Sequence, residues 1–290
     1  MTSIRGLWFA LAVLGGCGRI GFDSSARGSV DGGPPCTVGP WGAPRRQEML
    51  VSAIEDWEGT IHPDRRVVVY TRQQQGEAEL MIATRADPSD DFGSPTPIAA
   101  LNTPAAMDHD WGPAWSPDGK TLYWRHSELA GDTYLEATFD GTTFSSKRAS
   151  ELPAGFSWEL TPDGSEVFYT TQVSTNDYDL HHATLVGASW VDDSALASFH
   201  SLGFEGWPTF DAQRQALYFE SEAVAPKEIS VATRAGPGAA FGPAVAVPLG
   251  VTGNGDPDLS DDGLEMMFDS DAATGPGGDH DLYIVTRSCL

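Results

Sequence analysis

The chain has 290 residues, of which 40% are hydrophobic, and it contains 32 glycines and 20 prolines. This composition fits one sizeable, turn-rich domain, although the length also allows two small ones. The formal net charge of -24, from 41 acidic and 17 basic side chains, opposes nucleic-acid binding because no basic patch interrupts it; its usual meaning is a solvated acidic surface.

The chain begins with a segment that is typical of an export signal. Arg5 precedes the apolar run GLWFALAVL (Gly6 to Leu14), which is too short to cross a bilayer as a helix but fits a secretory signal. The following LGGC (Leu14 to Cys17) resembles a bacterial lipobox. This resemblance implies that Cys17 is lipidated and that residues 1–17 are a lipoprotein signal peptide; a plain signal peptide is the alternative.

The residues after Cys17 predict an anchor and a tether. In lipoproteins of this type, Gly18 rather than Asp favours the outer membrane, on its periplasmic or its surface face. Several acyl chains would hold the exported protein firmly. Residues 18–35, GRIGFDSSARGSVDGGPP, are rich in Gly, Ser, Asp and Pro and predict a flexible tether. The folded domain is therefore expected over residues 36–290.

A ten-residue pattern occurs five times in this domain. Each copy places a turn sequence between an apolar residue and a run of apolar and aromatic residues. The copies are IHPDRRVVVY at Ile61, WSPDGKTLYW at Trp115, LTPDGSEVFY at Leu160, FDAQRQALYF at Phe210 and LSDDGLEMMF at Leu259. Equivalent turn positions are 45 to 54 residues apart, which is close to the period of propeller blades.

The rest of each repeat aligns as well. An aromatic residue closes the second strand of each copy, where apolar neighbours predict a strand buried between two sheets: Tyr70, Trp124, Tyr169, Phe219 and Phe268. Five threonines mark the end of a third strand: Thr84, Thr138, Thr184, Thr233 and Thr286. A fourth strand is predicted from Phe92 and Phe241, with looser copies at Phe144 and Trp190. Each repeat is therefore a four-stranded unit.

The fifth repeat stops after its third strand. The segment WGAPRRQEML (Trp41 to Leu50) fits the fourth-strand pattern, so the N-terminus can complete the last unit. A ring closed by both ends of the chain leaves no open sheet edge. The fold class is therefore all-β: a five-bladed β-propeller closed by an N-terminal strand that completes the last blade.

The spacing of two cysteines fits this closure. Seven residues separate Arg85 from Phe92, and Cys36 and Cys289 occupy the matching interval between Arg287 and Trp41. We predict a disulfide between Cys36 and Cys289, as suits an exported protein; two unrelated free thiols are the alternative. Closing so long a loop would stabilise the fold by on the order of 5 kcal/mol at most.

The repeats resemble the β-propeller repeats of TolB and of propeller domains attached to OmpA-like envelope proteins. The likeness rests on SPDGK-LYW and LSDDGLEMMFDSD…GGDHDLYIVTR and covers Val51 to Arg287. TolB-type propellers usually have six blades, so five is a departure. The resemblance implies binding to other envelope proteins in the periplasm rather than catalysis, although a propeller supports many functions. We also expect a monomer.

A candidate site follows from propeller geometry, in which the first strand of each blade lines the channel. Acidic and aromatic residues are concentrated near the start of these strands, and Glu58 and Phe156 are among them. We expect a binding rim of Asp56, Trp57, Asp110, Trp111, Glu205, Trp207, Asp256 and Asp258. Such a rim suits a glycan stacked on indole rings, a cationic group or a Ca²⁺ ion; a merely solvated acidic rim is the alternative. No other cofactor or metal site is predicted.

A carbohydrate-active enzyme is the rival hypothesis. Five-bladed propellers include glycoside hydrolases with an acid and a base or nucleophile at the channel mouth, and here Asp56, Asp110 and Glu205 would be those residues. The motifs that those enzymes share are absent from the sequence. So are a Gly-x-Ser-x-Gly elbow, a phosphate-binding Gly-Lys loop and a dinucleotide fingerprint. We therefore expect a non-catalytic protein that binds an envelope protein or a glycan.

Overall fold

The computed structural model describes residues 36–290 except 75, 104–107, 175–176, 194, 202, 223–226 and 275–277. The predicted signal peptide (1–17), its lipidation site Cys17 and the tether (18–35) lie outside the described residues. The described residues form twenty strands and no helix. Accordingly, this part of the chain contains no helix with the length and hydropathy needed to span a membrane.

The strands form five four-stranded antiparallel units. The first strand, β1 (Arg45–Arg46), belongs to the last unit. Unit one contains β2 (Asp56–Ile61), β3 (Val67–Gln74), β4 (Glu77–Thr84) and β5 (Thr96–Pro97). Unit two contains β6 (His109–Trp115), β7 (Thr121–Glu128), β8 (Gly131–Phe139) and β9 (Phe144–Ala149).

The other three units have the same order of strands. Unit three contains β10 (Phe156–Leu160), β11 (Glu166–Ser174), β12 (Asp177–Val186) and β13 (Ser189–Asp193). Unit four contains β14 (Glu205–Asp211), β15 (Ala216–Ser221), β16 (Glu228–Thr233) and β17 (Val245–Ala246). Unit five contains β18 (Asn254–Leu259), β19 (Glu265–Ser270) and β20 (Asp281–Thr286), with β1 paired to β20. Units one and two are joined by one parallel bridge between Ala78 and His109.

The Asp-Gly turn of units two, three and five ends the first strand in a defined way. In unit two the amide of Gly119 donates to the Ser116 carbonyl (2.9 Å), and the Ser116 hydroxyl donates to Asp118 (2.7 Å). Gly119 has a φ of +69°, a conformation that glycine adopts at little cost. The same turn bond joins Gly164 to Thr161 and Gly263 to Ser260. The motif therefore encodes the tight connection from first to second strand.

The fourth strands are shorter than predicted in three units. Strand β1 and the segments from Phe92 and Phe241, which form β5 and β17, pair over only two residues each. Pro95, Pro97 and Pro243 lie in these segments. Because proline has no amide hydrogen to donate, it limits the ladder at such outer strands.

The predicted aromatic column is buried. Tyr70, Trp124, Tyr169, Phe219 and Phe268 are each 4% exposed or less. Around them, five apolar clusters each contain residues from two neighbouring units. One of these clusters packs Met267 and Leu282 of unit five against Val68 and Tyr70 of unit one. The first and last units are therefore neighbours in space.

The two chain ends meet as predicted. Strand β1 pairs antiparallel with β20, with Arg45 opposite Ile284 and Arg46 opposite Tyr283. Cys36 and Cys289 form a disulfide whose Cα atoms are 5.5 Å apart, which confirms the predicted bond. A ladder and a covalent bond thus join segments that are 253 residues apart in the sequence.

Candidate ligand-binding site between the first strands

All five first strands carry the same irregularity. The register shifts in β2, β6, β10, β14 and β18 at equivalent positions. The residue at the shift has a positive φ in every unit: Glu58 (52°), Gly112 (62°), Ser157 (51°), Trp207 (48°) and Asp256 (48°). Four of these are not glycine. Residues with side chains rarely adopt this conformation, and each instance costs on the order of 1–3 kcal/mol, so the surrounding structure must hold them there.

The bulge decides which side chains face the space between the units. Extra residues in a strand interrupt its two-residue alternation and re-aim the side chains that follow. Proline follows the bulge residue in three units, at Pro113, Pro208 and Pro257, where a missing amide hydrogen is tolerated. Because of the bulge, Glu58, Ser157, Trp207 and Asp256 line a cavity.

The larger cavity is lined by residues from the first strands of all five units and has a volume of about 80 Å³. Its described lining includes no Lys, Arg or His side chain. The acidic lining residues are Glu58, Glu159, Asp256, Asp258 and Asp261. Aromatic rings and proline rings form much of the remaining wall: Trp115, Trp158, Trp207, Phe210, Pro63, Pro113, Pro117, Pro162, Pro208 and Pro257. The cavity is therefore acidic and partly apolar.

Burial shifts the ionisation of the acids in this wall. Burial raises the pKa of Asp258 to about 7, although the carboxylate accepts hydrogen bonds from the Ile61 amide (2.8 Å) and the Thr60 hydroxyl (3.1 Å). Burial also raises the pKa of Asp256 well above its usual value, and the nearby carboxylates of Asp269 and Glu220 raise it further. The cavity thus holds carboxyl groups that are costly to ionise without a cation.

A smaller cavity of about 60 Å³ lies beside the larger one. Its wall consists of Glu58, Trp111, Gly112, Arg125, Phe156, Tyr178 and Trp207. Glu58 and Trp207 line both cavities, and the Trp207 indole N–H donates to Glu58 Oε1 at 3.2 Å. This pair therefore separates the two cavities.

Glu58 is held by three donors. Besides Trp207, the Gly112 amide (2.7 Å) and the Thr71 hydroxyl (2.8 Å) donate to Glu58 Oε2. Burial raises the pKa of this carboxyl, whereas the three hydrogen bonds lower it. The side chain is thus fixed in one position.

Arg125 is held between two rings in the smaller cavity. Its guanidinium carbon lies 4.9 Å from the centroid of Trp111 and 5.0 Å from that of Phe156, and one terminal nitrogen contacts Asp132 at 2.8 Å. The buried Nε of Arg125 has no hydrogen-bond partner among the described residues. The smaller cavity thus offers a free donor between aromatic faces.

The aromatic wall continues beyond the cavity. The rings of Trp207 and Phe204 stack with centroids 4.3 Å apart, and Tyr178 packs against Phe204 at 4.8 Å. Trp111, Tyr178, Phe204 and Trp207 are all half-buried. Part of each ring is therefore accessible from solvent.

Asp56, Asp110 and Glu205 lie outside the described lining of both cavities. Each is at most 1% exposed and is bonded within its own unit. Asp56 accepts from the Ser52 amide and from Arg72 (both 2.6 Å). Asp110 accepts from the Trp124 indole N–H and from the Thr103 amide (both 2.9 Å). Glu205 accepts from the amide and the hydroxyl of Ser201.

The reason is the position of these three residues before the bulge. There the side chains point back toward the preceding loop, whose polar groups they satisfy. Burial raises the pKa values of Asp56 and Glu205, with opposing hydrogen bonds from Arg72 and Ser201.

The other expected rim residues fall into different places. Trp111 and Trp207 line the smaller cavity, and Trp207, Asp256 and Asp258 line the larger one. Trp57 is half-buried, lies outside the described lining of both cavities, and its indole N–H has no partner among the described residues.

The residues that line the cavities but were not predicted as site residues include Arg125, Tyr178, Ser157 and Glu159. A signal was present for Ser157. It aligns with the residue that precedes proline in three other first strands, and a proline inside a buried strand indicates a bulge.

One further acidic group lies behind the larger cavity. Carboxylate oxygens of Glu220, Asp256 and Asp269 lie within 4.8 Å of one another, a spacing that can hold a metal ion. The Lys227 ammonium, however, contacts Glu220 at 3.0 Å. Burial lowers the pKa of Lys227, but the carboxylates outweigh this and raise it. Lys227 therefore already acts as the counter-ion of this group.

Comparison with known proteins identifies the fold. No protein-family model matches the sequence, and the curated proteins contain no match. Among solved structures, the chain is similar to an α-L-arabinofuranosidase from Podospora anserina in complex with cellotriose, with 11% identity over 88% of this chain and 98% of that chain and a TM-score of 0.52. It is also similar to an endo-1,4-beta-xylanase from Bacteroides thetaiotaomicron, with 12% identity over 82% of this chain and 95% of that chain and a TM-score of 0.51.

TolB from Acinetobacter baumannii is a further similar structure, with 15% identity over 78% of this chain and a TM-score of 0.49. The chain spans about half the length of that TolB, 53%. The structural neighbours thus include both TolB-like and glycoside hydrolase propellers. At these identities the similarity to the two hydrolases concerns the all-β, propeller-type fold alone.

Proposed function

We propose that the protein is a five-bladed β-propeller that binds a glycan, without catalysis, at the smaller cavity and the aromatic wall beside it. The observation that carries the proposal is the arrangement of half-buried rings, Trp111, Tyr178 and Trp207, around the free Nε of Arg125 and the carboxylate of Glu58.

Contacts between units five and one support the closed ring. The carboxylate of Asp256 accepts from the Glu58 amide (3.3 Å), and Arg85 of unit one contacts Glu265 of unit five at 2.5 Å. An apolar cluster also lies between these units, and the Cys36–Cys289 bond joins the two chain ends. Unit five therefore packs against unit one as the other units pack against their neighbours.

Sugar chemistry fits the smaller cavity. Pyranose rings present C–H faces that pack on aromatic rings, and their hydroxyls need a few oriented polar partners. Trp111 and Tyr178 supply ring surface, while Arg125 supplies a donor that has no internal partner. Much of the hydrogen bonding of Arg125 and Glu58 is internal, so these groups are already positioned before a ligand arrives.

The hydrogen bonds of four acidic side chains support binding without catalysis. Asp56, Asp110 and Glu205 serve their own units, as described, and Glu58 already accepts three hydrogen bonds. Each of these four carboxylates is therefore already hydrogen-bonded within the fold. Binding is therefore the function that uses the groups that remain available.

A glycoside hydrolase is the second candidate, on account of Asp256. This residue lines the larger cavity, has one oxygen without a hydrogen-bond partner among the described residues, and lies beside Glu58. Its raised pKa would suit a general acid, since glycosidases pair a protonated and an ionised carboxyl.

Titration with oligosaccharides tests both candidates. We expect the full chain, in detergent, to bind cellotriose, xylotriose or arabinotriose by calorimetry without forming shorter sugars. Trp111→Ala should weaken binding by about tenfold or more, as the loss of a stacked ring predicts. Trp190→Ala is the control, because Trp190 lies on β13, outside the described lining of both cavities.

Three results would change the proposal. Shorter sugars that disappear in Asp256→Asn would establish the hydrolase. If none of the three sugars binds and the chain captures an envelope protein, the ligand would be a protein rather than a glycan. Equal loss of binding in both tryptophan variants would place the site elsewhere.

We further propose that the protein is exported and anchored through Cys17 as a monomer. The Cys36–Cys289 disulfide supports an oxidising compartment. Mass spectrometry of the membrane-bound protein should find acyl chains on Cys17, and Cys17→Ala should release the chain into the soluble fraction. A Cys17 residue without acyl chains would contradict the anchor.

A further inference from the structure

We propose that the larger cavity binds an organic cation, a ligand carrying a primary ammonium or guanidinium group. This site is distinct from the glycan site proposed at the smaller cavity and does not depend on it. The inference starts from a mismatch of charge: five carboxyl residues line the cavity, and its described lining contains no basic side chain.

Two buried polar groups in the wall lack a partner. Asp256 is 6% exposed and its Oδ1 has no hydrogen-bond partner among the described residues. Ser157 is 8% exposed and its hydroxyl likewise has none. Both residues line the larger cavity. A buried polar atom without a partner costs about 1–3 kcal/mol, and a ligand that donates hydrogen bonds into the cavity would remove that cost.

Lys227 lies outside the cavity wall. Its ammonium contacts Glu220 and also acts electrostatically on Asp256. Asp258, two residues after Asp256 on β18, accepts from two neutral donors, the Thr60 hydroxyl and the Ile61 amide. A cation entering the cavity would therefore meet Asp256 and Asp258 with no basic side chain beside them in the described wall.

The wall favours an organic cation over a metal ion. A calcium ion needs six to eight oxygens at 2.3–2.6 Å. Within the described residues, the one group of three acidic ligand atoms close enough for a metal is Glu220, Asp256 and Asp269. The Lys227 ammonium already contacts Glu220 of this group. The acids of the cavity are thus too far apart to surround one metal ion together, whereas an organic cation needs no such shell of oxygens.

Aromatic rings support the same conclusion. Trp115, Trp158 and Trp207 contribute to the wall, and indole faces attract ammonium and guanidinium groups. Guanidinium also donates to two carboxylate oxygens at once. A ligand with an apolar stem and one such group would match both parts of the lining. The group can belong to a free amine or to a Lys or Arg side chain of a partner protein.

Calorimetry with matched probes tests the proposal. We expect the full chain to bind arginine amide but not its neutral analogue citrulline amide. Asp256→Asn and Asp258→Asn should each weaken arginine amide by about tenfold or more, the usual scale for one charge-assisted contact. Glu128→Gln, at the exposed end of β7, should bind like the wild type.

Further probes distinguish a free amine ligand from a segment of a partner protein. Spermidine represents free amines, and a short Arg- and Lys-containing peptide represents a partner segment; binding of either one supports the proposal and identifies the source. No binding of any cationic probe, equal binding of citrulline amide, or binding of CaCl₂ alone would overturn it. Circular dichroism melts of the two Asn variants show whether weaker binding follows from unfolding.

The glycan proposal can fail separately. Trp111 lines the smaller cavity and not the larger one, so Trp111→Ala should leave arginine amide binding unchanged. Loss of both ligands in this variant would contradict two independent sites.

Discussion

The guanidinium carbon of Arg287 lies 4.2 Å from the centroid of the Trp41 ring. Arg85 and Phe92 make the same contact in unit one (4.4 Å), as do Arg234 and Phe241 in unit four (5.2 Å). Trp41 therefore takes the place, at the other end of the chain, of the aromatic residue that follows the third strand in those units.

We predict that Trp41→Ala lowers the free energy of unfolding by about 2 kcal/mol, because a cation–π contact and partly buried ring area are both lost. Trp41→Phe should cost less than about 1 kcal/mol, since phenylalanine stands at the equivalent positions of units one and four. Urea denaturation of both variants gives the two values. Equal losses would show that the aromatic ring itself does not matter.

This contact also explains why the fold was readable from the sequence. The Arg–aromatic pair, the Asp-Gly turn and the buried aromatic column are local patterns that repeat with the period of the unit. Each copy reports on the same structure, so five copies define the four-stranded unit and its order. The matching of Trp41 to Phe92 and Phe241 then placed the N-terminal strand beside β20.

The site was less predictable because it depends on a bulge. The bulge residues Glu58 and Asp256 line the larger cavity. Asp56, Asp110 and Glu205 come before the bulge and lie outside the described lining of both cavities. Arg125 was not identifiable, because its position between Trp111 and Phe156 arises from packing between units two and three.

The disulfide gives a second prediction. Cys36→Ser and Cys289→Ser should each lower the unfolding free energy by about 3–5 kcal/mol, since either change opens the same long loop. The double variant should be no less stable than either single one. Thermal melts at equal protein concentration make the comparison. Additive losses would mean that each cysteine stabilises the fold independently of the bond.

Glu166 joins units three and four. It accepts hydrogen bonds from Arg234 (2.6 and 2.8 Å) and contacts His182 (3.2 Å). Burial alone would raise the pKa of Glu166, but these partners lower it to about 2. The folded state therefore favours the ionised form, and this stabilisation is present above the unfolded pKa of 4.5 and lost as the pH falls toward 2.

We predict that Glu166→Gln destabilises the protein by about 3 kcal/mol at pH 7, because the buried Arg234 keeps its charge without a counter-ion. The difference from the wild type should shrink between about pH 4.5 and pH 2. Glu128→Gln is the exposed control and should stay within about 0.5 kcal/mol of the wild type. A constant difference at all pH values would assign the effect to packing.

Gly255 permits the buried ionic group beside the larger cavity. A Cβ atom at this position would lie 2.5 Å from the Lys227 side chain and would also overlap the Glu220 carboxylate. We predict that Gly255→Ala costs about 2 kcal/mol or more, since Lys227 and Glu220 must move apart within a packed interior. Gly236→Ala should be neutral, because no atom lies within 4 Å of the added methyl group.

Asp258 provides the last prediction, and its sign is opposite to that of Glu166. Burial raises its pKa from 3.8 to about 7, so the folded state disfavours the ionised carboxyl. The resulting loss of stability is absent below the unfolded pKa, grows as the pH rises through the interval from 3.8 to about 7, and stays constant above it. At about 1.4 kcal/mol per pKa unit, the cost at pH 8 is at most about 4 kcal/mol.

Asp258→Asn should remove this cost, because the amide oxygen can still accept from the Thr60 hydroxyl and the Ile61 amide. We therefore expect the variant to melt at a higher temperature than the wild type at pH 8 and at the same temperature near pH 4. Arginine amide should narrow the gap at pH 8 by stabilising the wild type more than the variant, since a bound guanidinium restores a counter-charge to the ionised carboxylate. A variant that is less stable than the wild type at pH 8 would mean that Asp258 is neutralised there by a contact other than those with Thr60 and Ile61.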